Sequence, residues 1–425
     1  MQGPMLGHVQ PTSVRVWARV AGEAEFSVLY SRSANFIDAL ETKSVRATPE
    51  NDYCVEVEIE GLVPSSFYFY KALVNGQPLE SSKESQGYPL LTAPAKTAPV
   101  RFSIAFGSGA KADRDNLQAI WLQVQNARPH AFFWLGDNEA TEGLSPELQA
   151  EEYRVQRNVS FLQPLLRSIP QLATWDGALG GASRKSIQVF KNYWANPSYG
   201  TSENPGSYFT FNYGNVDFYF LDTYSYRDQK TSSLLGKAQM SWLTSQLANS
   251  HAPFKVLLSS SSWTDVKKDS LSTWTAFPEE RAALFNYIKT SEIDGVLLVS
   301  GDNDQAEVKA IPLSEDGGYD LYELVSSPLA QDPRASFDEQ AQSTISIHEP
   351  YAGSTNFGLL TFDMTEADPS FSFEVIDVFG ESVLETLTVN ASELANGVSS
   401  WHTKVDDPAA YAYKEEKSDK ESIIF

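Results

Sequence analysis

The chain has 425 residues, 42% of them hydrophobic, which is enough to fill more than one buried core, so two domains are expected. A net charge of −23 argues against nucleic acid or an anionic membrane as the main partner, because no basic cluster offsets the repulsion. The single cysteine, Cys54, excludes an intrachain disulfide and a thiolate cluster for zinc.

No apolar run approaches the roughly 20 residues that a membrane-spanning helix requires, so no transmembrane segment is predicted. The first residues, Met1 to Met5, carry neither the basic region nor the apolar core of a signal peptide. If the protein is exported, we expect its signal to have been removed before this numbering begins.

Residues 1–95 are predicted to form short strands. Hydrophobic and polar residues alternate in the segments 14–20 and 55–60, which is typical of strands with one solvated face. The segment from Leu62 to Tyr70 resembles the corner of fibronectin type III domains, in which a leucine, a proline and a tyrosine hydroxyl lock a strand end. The sequence therefore predicts a fibronectin type III-like β-sandwich over residues 1–95, followed by a proline-bearing linker.

From Val100 onward, compact apolar runs alternate with longer amphipathic stretches. The runs are Arg101–Phe106, Ala131–Leu135, Phe218–Asp222, Lys255–Ser259 and Gly295–Ser300. The amphipathic stretches are Asn116–Ala127, Gly236–Ala248 and Pro278–Thr290. This order predicts a layered α/β domain over residues 100–394, with loops gathered at one sheet edge and an antiparallel pair, 357–363 and 371–377, closing it. The tail, residues 395–425, has little to bury and is expected to be extended.

One stretch, Phe132–Gly143, organises the expected chemistry. Its apolar run ends abruptly in Gly136, Asp137 and Asn138, the way a buried parallel strand delivers a carboxylate to the carboxyl edge of a sheet. Three further strand-end loops carry comparable residues. The four loops are FGSGAKADRD (106–115), LGDNEATEG (135–143), ATWDGALGG (173–181) and SGDNDQAE (300–307).

In their order and amino-acid sequence, these loops resemble those of the PhoD-type alkaline phosphatases. The blocks FYFLDTYSYRD (218–228) and NFGLLTFD (356–363) share the resemblance. The resemblance implies an α/β fold in which an N-terminal β-sandwich precedes a metallophosphatase-like β-sandwich core flanked by helices. It also implies descent from metal-dependent phosphoesterases, and a secreted, periplasmic or cell-surface location.

The resemblance also locates the expected metal ligands, and most are replaced. Residual site positions that keep the family residue are Asp137, Asn138, Asp176 and Asp302. Degenerate ligand positions, where the family carries Cys, Tyr, Asp, His, Asn and His, are Gly109, Ala140, Gly177, Ala178, Ser183 and Asp304. These replacements remove ligand atoms without supplying new ones.

The surviving donors are mostly carboxylates. Asp137, Asp302, Asp304 and Glu307 offer the oxygen ligands that suit Ca²⁺ or Mg²⁺. None of the five histidines lies in the four loops, whereas two-metal phosphoesterase sites generally use imidazole as well as carboxylate. Alternatively, the strand-end aspartates remain because they hydrogen-bond backbone N–H groups and hold the loops. Structural retention, a calcium or magnesium site and preserved hydrolysis therefore all stay open.

Two functional hypotheses follow. The first is a catalytically inactive PhoD-like protein without a cofactor, reused for extracellular binding, structure or assembly, whose unknown protein or self-assembly partner contacts the tail 400–425. The second is a metal-dependent phosphomonoesterase or phosphodiesterase with a rebuilt, carboxylate-only calcium or magnesium site.

Overall fold

The computed structural model describes residues 1–78, 86–138, 145–176, 184–266, 271–301, 304–335, 339–340 and 344–406. Within these ranges, the helices are all too short or too polar to cross a membrane.

The N-terminal part is a sandwich of two antiparallel sheets. Its strands are β1 (Gln2–Val9), β2 (Ser13–Arg19), β3 (Ala24–Ser31), β4 (Leu40–Glu41), β5 (Val45–Ala47), β6 (Cys54–Glu60), β7 (Phe67–Val74), β8 (Gln77–Pro78) and β9 (Tyr88–Leu91). One sheet has the order β1-β2-β6, and the other has the order β4-β3-β7-β8, with β5 on β3 and β9 on β7. The two alternating segments predicted as strands pair directly, with Val16 opposite Val57.

The predicted corner is present in this sandwich. The backbone N–H of Val63 donates to the hydroxyl of Tyr68 at 3.0 Å, which ties the start of β7 to the preceding turn. The next tyrosine on the same face, Tyr70, instead donates its hydroxyl to the carbonyl of Arg167 at 2.8 Å. One tyrosine therefore closes the sandwich, and the other fastens it to the following domain.

Asp52 forms a second link between the sandwich and the rest of the chain. Its carboxylate accepts hydrogen bonds from Arg19 (2.9 and 3.0 Å), from Arg154 (2.6 Å) and from the hydroxyl of Tyr193. Partial burial opposes its ionisation, but the hydrogen bond from Arg19 and those from Tyr193 and Arg154 outweigh it and lower the pKa of Asp52.

Strands and helices alternate after the linker. They are β10 (Arg101–Gly107), α1 (Ile120–Ala127), β11 (Ala131–Trp134), α2 (Pro146–Gln156), α3 (Gln163–Ser168), β12 (Gln171–Ala173), α4 (Arg184–Tyr193), β13 (Phe209–Tyr213), β14 (Val216–Phe220), α5 (Gly236–Asn249), β15 (Phe254–Ser259), β16 (Asp265–Val266), α6 (Pro278–Thr290), β17 (Val296–Ser300), β18 (Glu307–Ile311), β19 (Leu321–Val325), β20 (Glu339–Gln340), β21 (Ile345–Ser346), β22 (Asn356–Asp363), β23 (Ser370–Asp377) and β24 (Leu387–Asn390).

Two large sheets face each other in this domain. One has the order β12-β11-β10-β22-β23-β24 and the other β13-β14-β15-β17-β19-β18-β21. Their inner faces meet through aromatic rings, with centroids 5.2 Å apart for Phe133 and Phe218 and 5.6 Å apart for Phe254 and Phe362. The predicted α/β class, with a β-sandwich core after an N-terminal β-sandwich, is confirmed.

Most predicted elements occur close to their expected bounds, and α6 has the predicted bounds Pro278–Thr290. Helix α1 begins later than predicted, at Ile120 instead of Asn116. Gln118 has a φ of 51°, which a right-handed helix cannot contain. Its buried side chain bonds Gln156 and Trp121, which holds this turn in place.

The expectation that the chain after residue 395 has little to bury is wrong for residues 395–406. Trp401 is buried, and its backbone N–H donates to the carboxylate of Asp320 at 3.0 Å. The backbone N–H of Ser400 donates to the same carboxylate, and the Ser400 hydroxyl lies 2.7 Å from that of Tyr322 on β19. Residues 407–425 of the predicted tail lie outside the described residues.

Candidate functional site at the sheet edge

Loops of the six-stranded sheet lie side by side where β10, β11 and β12 end. These strands are parallel, and their hydrogen bonding continues past the last paired residues. The N–H of Leu135 donates to the carbonyl of Gly107, and that of Thr174 donates to the carbonyl of Trp134, both at 2.9 Å. The sheet therefore brings the first three predicted loops to one edge, where open α/β sheets bind ligands.

The fourth loop reaches the same edge from the seven-stranded sheet. Gly301 follows β17, and a β-carbon added there would lie 2.3 Å from the carbonyl oxygen of Leu135 and 2.7 Å from the β-carbon of Ser108. Only a residue without a side chain permits this approach of the two sheets. The next residue, Asp302, lies outside the described residues, as do Ala140, Gly177, Ala178 and Ser183.

Asp137 is the best-defined carboxylate of this edge. Its side chain is 17% exposed, and its carboxylate lies 2.9 Å from the ammonium of Lys111, whose side chain is 18% exposed. Its backbone has a φ of 48°, and its N–H donates to a carboxylate oxygen of Asp176. The structure thus brings together two of the predicted residues, Asp137 and Asp176, and adds a lysine that the sequence reasoning did not select.

Lys111 belongs to the first loop, two positions after Gly109, where the family carries its cysteine ligand. The loop is held against Asp137, since the N–H of Ala110 donates to the carbonyl of Asp137 at 3.0 Å. The signal for this ion pair in the sequence is a lysine two positions after a replaced metal ligand. The signal is weak because surface loops often contain lysine, and spacing alone does not reveal which carboxylate a lysine contacts.

Asn138 points into the protein beside these two aspartates. It is buried, and its amide nitrogen donates to the carbonyl of Thr174 at 2.9 Å. Its side-chain oxygen is also buried, and among the described residues it has no hydrogen-bond partner. An unpaired buried acceptor costs free energy, so the hydrogen bond to Thr174 accounts for only part of the retention of Asn138.

Asp304 and Gly109 meet through a glutamine. The amide of Gln331 donates to the carboxylate of Asp304 at 2.5 Å. A β-carbon at Gly109 would lie 2.9 Å from the same amide nitrogen, so the loss of the family cysteine makes room for Gln331. Asp304 has a φ of 53°, and its carbonyl accepts the N–H of Arg334 at 3.0 Å. Its carboxylate therefore serves a local hydrogen-bond network.

Glu307 belongs to a separate cluster inside the seven-stranded sheet. Its carboxylate contacts the ammonium of Lys309 and the amide of Gln305, and Lys309 also contacts the carboxylate of Asp265. Burial raises the pKa of Glu307 to about 7, although the charge of Lys309 opposes the rise. Glu307 therefore forms an ion pair with Lys309, and Asp137 forms one with a different lysine, Lys111.

A second cation lies near this edge, after β14. The guanidinium carbon of Arg227 lies 4.1 Å from the ring centroid of Tyr224, and the Tyr224 ring lies 6.3 Å from that of Trp175. Arg227 Nε also donates to the carbonyl of Thr223 at 3.1 Å. Tyr224 occupies the position where the family carries an arginine. An aromatic ring therefore takes the place of a positive charge at this edge.

The donors that the structure describes at this edge do not fit a two-metal centre. The carboxylate of Asp137 is neutralised by an ammonium 2.9 Å away, and that of Asp176 accepts a backbone N–H. A divalent cation bound to Asp137 would be repelled by Lys111 at this separation. The four loops contain no imidazole or thiolate that could compensate.

Comparisons with known proteins agree with this architecture. Residues 183–373 match the PhoD-like phosphatase family, and residues 1–98 match the N-terminal domain of the same family. Alkaline phosphatase D of Bacillus subtilis (strain 168) is 22% identical over 320 residues, which cover 60% of this chain. The chain spans only about half, 54%, of the length of that relative.

Solved structures with the same fold include two phosphatases. A structure of PhoD is 17% identical with a TM-score of 0.66, and the match covers 99% of this chain and 97% of that chain. The purple acid phosphatase PPD1 from yellow lupin (Lupinus luteus) seeds is 13% identical with a TM-score of 0.66, over 92% of this chain and 74% of that chain. At these identities the matches support the fold.

Proposed function

The chain belongs to the PhoD-like phosphatase family, and we propose that it is a non-catalytic member of it, reused outside the cytoplasm for binding, structure or assembly. The ion pair between Lys111 and Asp137 carries this proposal. It places a fixed positive charge beside the carboxylate that the family uses for metal.

An ammonium can balance the charge of Asp137 but cannot replace the chemistry of a metal. A divalent cation lowers the pKa of a bound water and polarises the phosphoryl oxygen, and both effects require an open coordination position. Lysine offers three N–H donors and no such position. Among the described residues, the ion pair therefore holds two loops together and does not supply a means to activate water.

A binding role has support on the N-terminal sandwich. Ile37 and Leu40 are 62% and 60% exposed, and with Tyr68 they line a groove of about 520 Å³. Large exposed apolar side chains beside a concave surface are typical of protein interaction sites. This surface belongs to the sandwich and not to the sheet edge, so its use does not depend on catalysis.

The proposal is tested by metal content and turnover on the full chain. After dialysis against Ca²⁺, Mg²⁺ or Mn²⁺, we expect native protein and Asp137→Ala to bind equal amounts of metal. Hydrolysis of an aryl phosphate monoester or diester should stay at background in both. Asp113→Ala, which removes an exposed carboxylate from the first loop, is the matched control.

A carboxylate-only hydrolase is the second candidate, and the unpaired side-chain oxygen of Asn138 favours it. Amide and carboxylate oxygens are ligands for Ca²⁺ and Mg²⁺. Metal-stimulated turnover that is lost in Asp137→Ala and retained in Asp113→Ala would establish this candidate and refute the non-catalytic one.

A further inference from the structure

Three side chains from separate parts of the fold meet beside the seven-stranded sheet. His348 follows β21, the edge strand of that sheet, and Glu385 lies in the connection from β23 to β24 of the other sheet. Asp406 belongs to the segment after Trp401. One nitrogen of His348 and one carboxylate oxygen from each acidic residue lie within 4.8 Å of one another.

The geometry of His348 is unusual for a purely structural histidine. The residue is 6% exposed, and its Nδ1 lies 2.6 Å from the carboxylate of Asp406. Its Nε2 is buried and, among the described residues, has no hydrogen-bond partner. Glu385 and Asp406 are exposed, so the group opens to solvent on its carboxylate side.

We propose that His348, Glu385 and Asp406 bind a divalent transition-metal cation of the zinc class. Zinc is bound by His nitrogen and by Asp or Glu oxygen, and with three protein ligands a water can complete four-coordination. The mixed nitrogen and oxygen donors suit zinc better than Ca²⁺ or Mg²⁺, which take oxygen ligands and more of them. Two carboxylates also offset the charge of the cation.

Binding requires small adjustments. In the structure, His348 and Asp406 share a hydrogen bond, whose 2.6 Å separation is shorter than the spacing between two ligands of one metal ion. A cation would replace the shared proton, and the exposed carboxylates can move to admit it. A neutral imidazole that binds the cation through Nδ1 carries its one proton on Nε2, so the shared proton moves to the other ring nitrogen.

The cation would join the two sheets to the C-terminal segment. The backbone N–H of Asp406 already donates to the carbonyl of Ile347 at 3.2 Å, so the segment runs along the loop that carries His348. Zinc at this position would hold the start of the tail to the domain, independently of chemistry at Asp137.

Equilibrium dialysis of the full chain against ZnCl₂ tests the site. We expect one zinc per chain, and we expect Glu385→Gln to weaken binding at least about tenfold, because even the loss of a group that only supports a metal ligand weakens metal binding on that scale. Glu385→Gln leaves the His348–Asp406 bond in place, so folding should be unaffected. Glu381→Gln makes the same charge change on an exposed residue of the same connection and should bind like the native protein.

A second measurement reports the location. Zinc should slow amide hydrogen exchange of residues 400–406 in the native protein and in Asp137→Ala, but not in His348→Gln or Glu385→Gln. Zinc that stays bound with native affinity in both of the latter variants, or a native chain that takes up none, would overturn the proposal. Because Asp137→Ala keeps this zinc, the result is separable from the test of the sheet edge.

Discussion

Two of the lysines that pair with carboxylates, Lys309 and Lys111, differ in burial. Lys309, on β18, is 2% exposed and contacts Asp265 and Glu307, whose side chains are 6% and 2% exposed. Lys111, in the loop after β10, is 18% exposed and contacts only one of the described carboxylates within ion-pair distance, Asp137. The Lys309–Asp265 and Lys111–Asp137 pairs each join separate strands or loops of the second domain.

The difference in burial changes how much each ion pair contributes to the free energy of unfolding. Water screens a partly exposed pair, so such pairs contribute about 0–1 kcal/mol. Breaking a buried pair leaves an uncompensated charge, which costs about 3–5 kcal/mol. We therefore expect Lys309 to contribute more to stability than Lys111, which can be replaced with little structural cost. A lysine at the sheet edge can alter the site without endangering the domain.

The comparison is tested most strongly by Lys309→Met. This change removes the ammonium that pairs with Asp265 and Glu307. Both carboxylates stay buried, with the charge of Glu323 close to Glu307. We expect the free energy of unfolding to fall by about 3–5 kcal/mol, measured by urea denaturation. Lys255→Met is the control, since Lys255 is also buried but its ammonium donates to the carbonyls of Ala252 and Asp294.

The control should lose less, because removing Lys255 strands no carboxylate within hydrogen-bond distance of its ammonium. Equal losses in the two variants would mean that the ion pairs of Lys309 add nothing to stability beyond what any buried lysine of this sheet contributes.

A pH series on Glu307→Gln sharpens the comparison. Burial raises the pKa of Glu307 to about 7 in the folded protein, against an ordinary value of 4.5. Between these values the folded state holds a proton that the unfolded state has released, so stability falls as pH rises from 4.5 through 7. Such a loss amounts to about 1.4 kcal/mol for each pKa unit by which the folded and unfolded states differ.

Glutamine cannot ionise, so this part of the fall should disappear in Glu307→Gln. Urea denaturation of both proteins at pH 5 and pH 8 measures it, and Glu315→Gln, at an exposed position, is the control. Parallel losses of stability in native protein and Glu307→Gln would show that Glu307 ionises normally.

The sequence predicted the elements that depend on local pattern. The apolar run before Asp137 became the parallel strand β11, and the leucine, proline and tyrosine pattern became the corner at Tyr68. Helix α6 was predicted to the residue, since Pro278 starts it and its amphipathic period is regular. Such signals arise within a few neighbouring residues, so they are readable without the fold.

Contacts between distant segments were not predictable in the same way. The sequence around Lys111 does not indicate that its ammonium contacts Asp137. Trp401 lies in a mostly polar segment, so its burial could not be predicted from the local sequence. His348, Glu385 and Asp406 have no ligand spacing because three separate loops supply them. Glu307 and Lys309 were closer to prediction, since alternation along a strand puts both on one face.

The smallest expected effect on stability belongs to Lys111→Met. Because the pair with Asp137 is partly exposed, we expect the free energy of unfolding to change by less than about 1 kcal/mol. The effect on ligand binding should be larger, since Asp137 loses the ammonium at 2.9 Å and its carboxylate becomes available to a cation. We expect Lys111→Met to bind Ca²⁺ or Mg²⁺ more tightly than the native chain in calorimetric titration. Lys111→Arg keeps the charge and should not, and equal binding by all three proteins would mean that Lys111 does not exclude cations from the sheet edge.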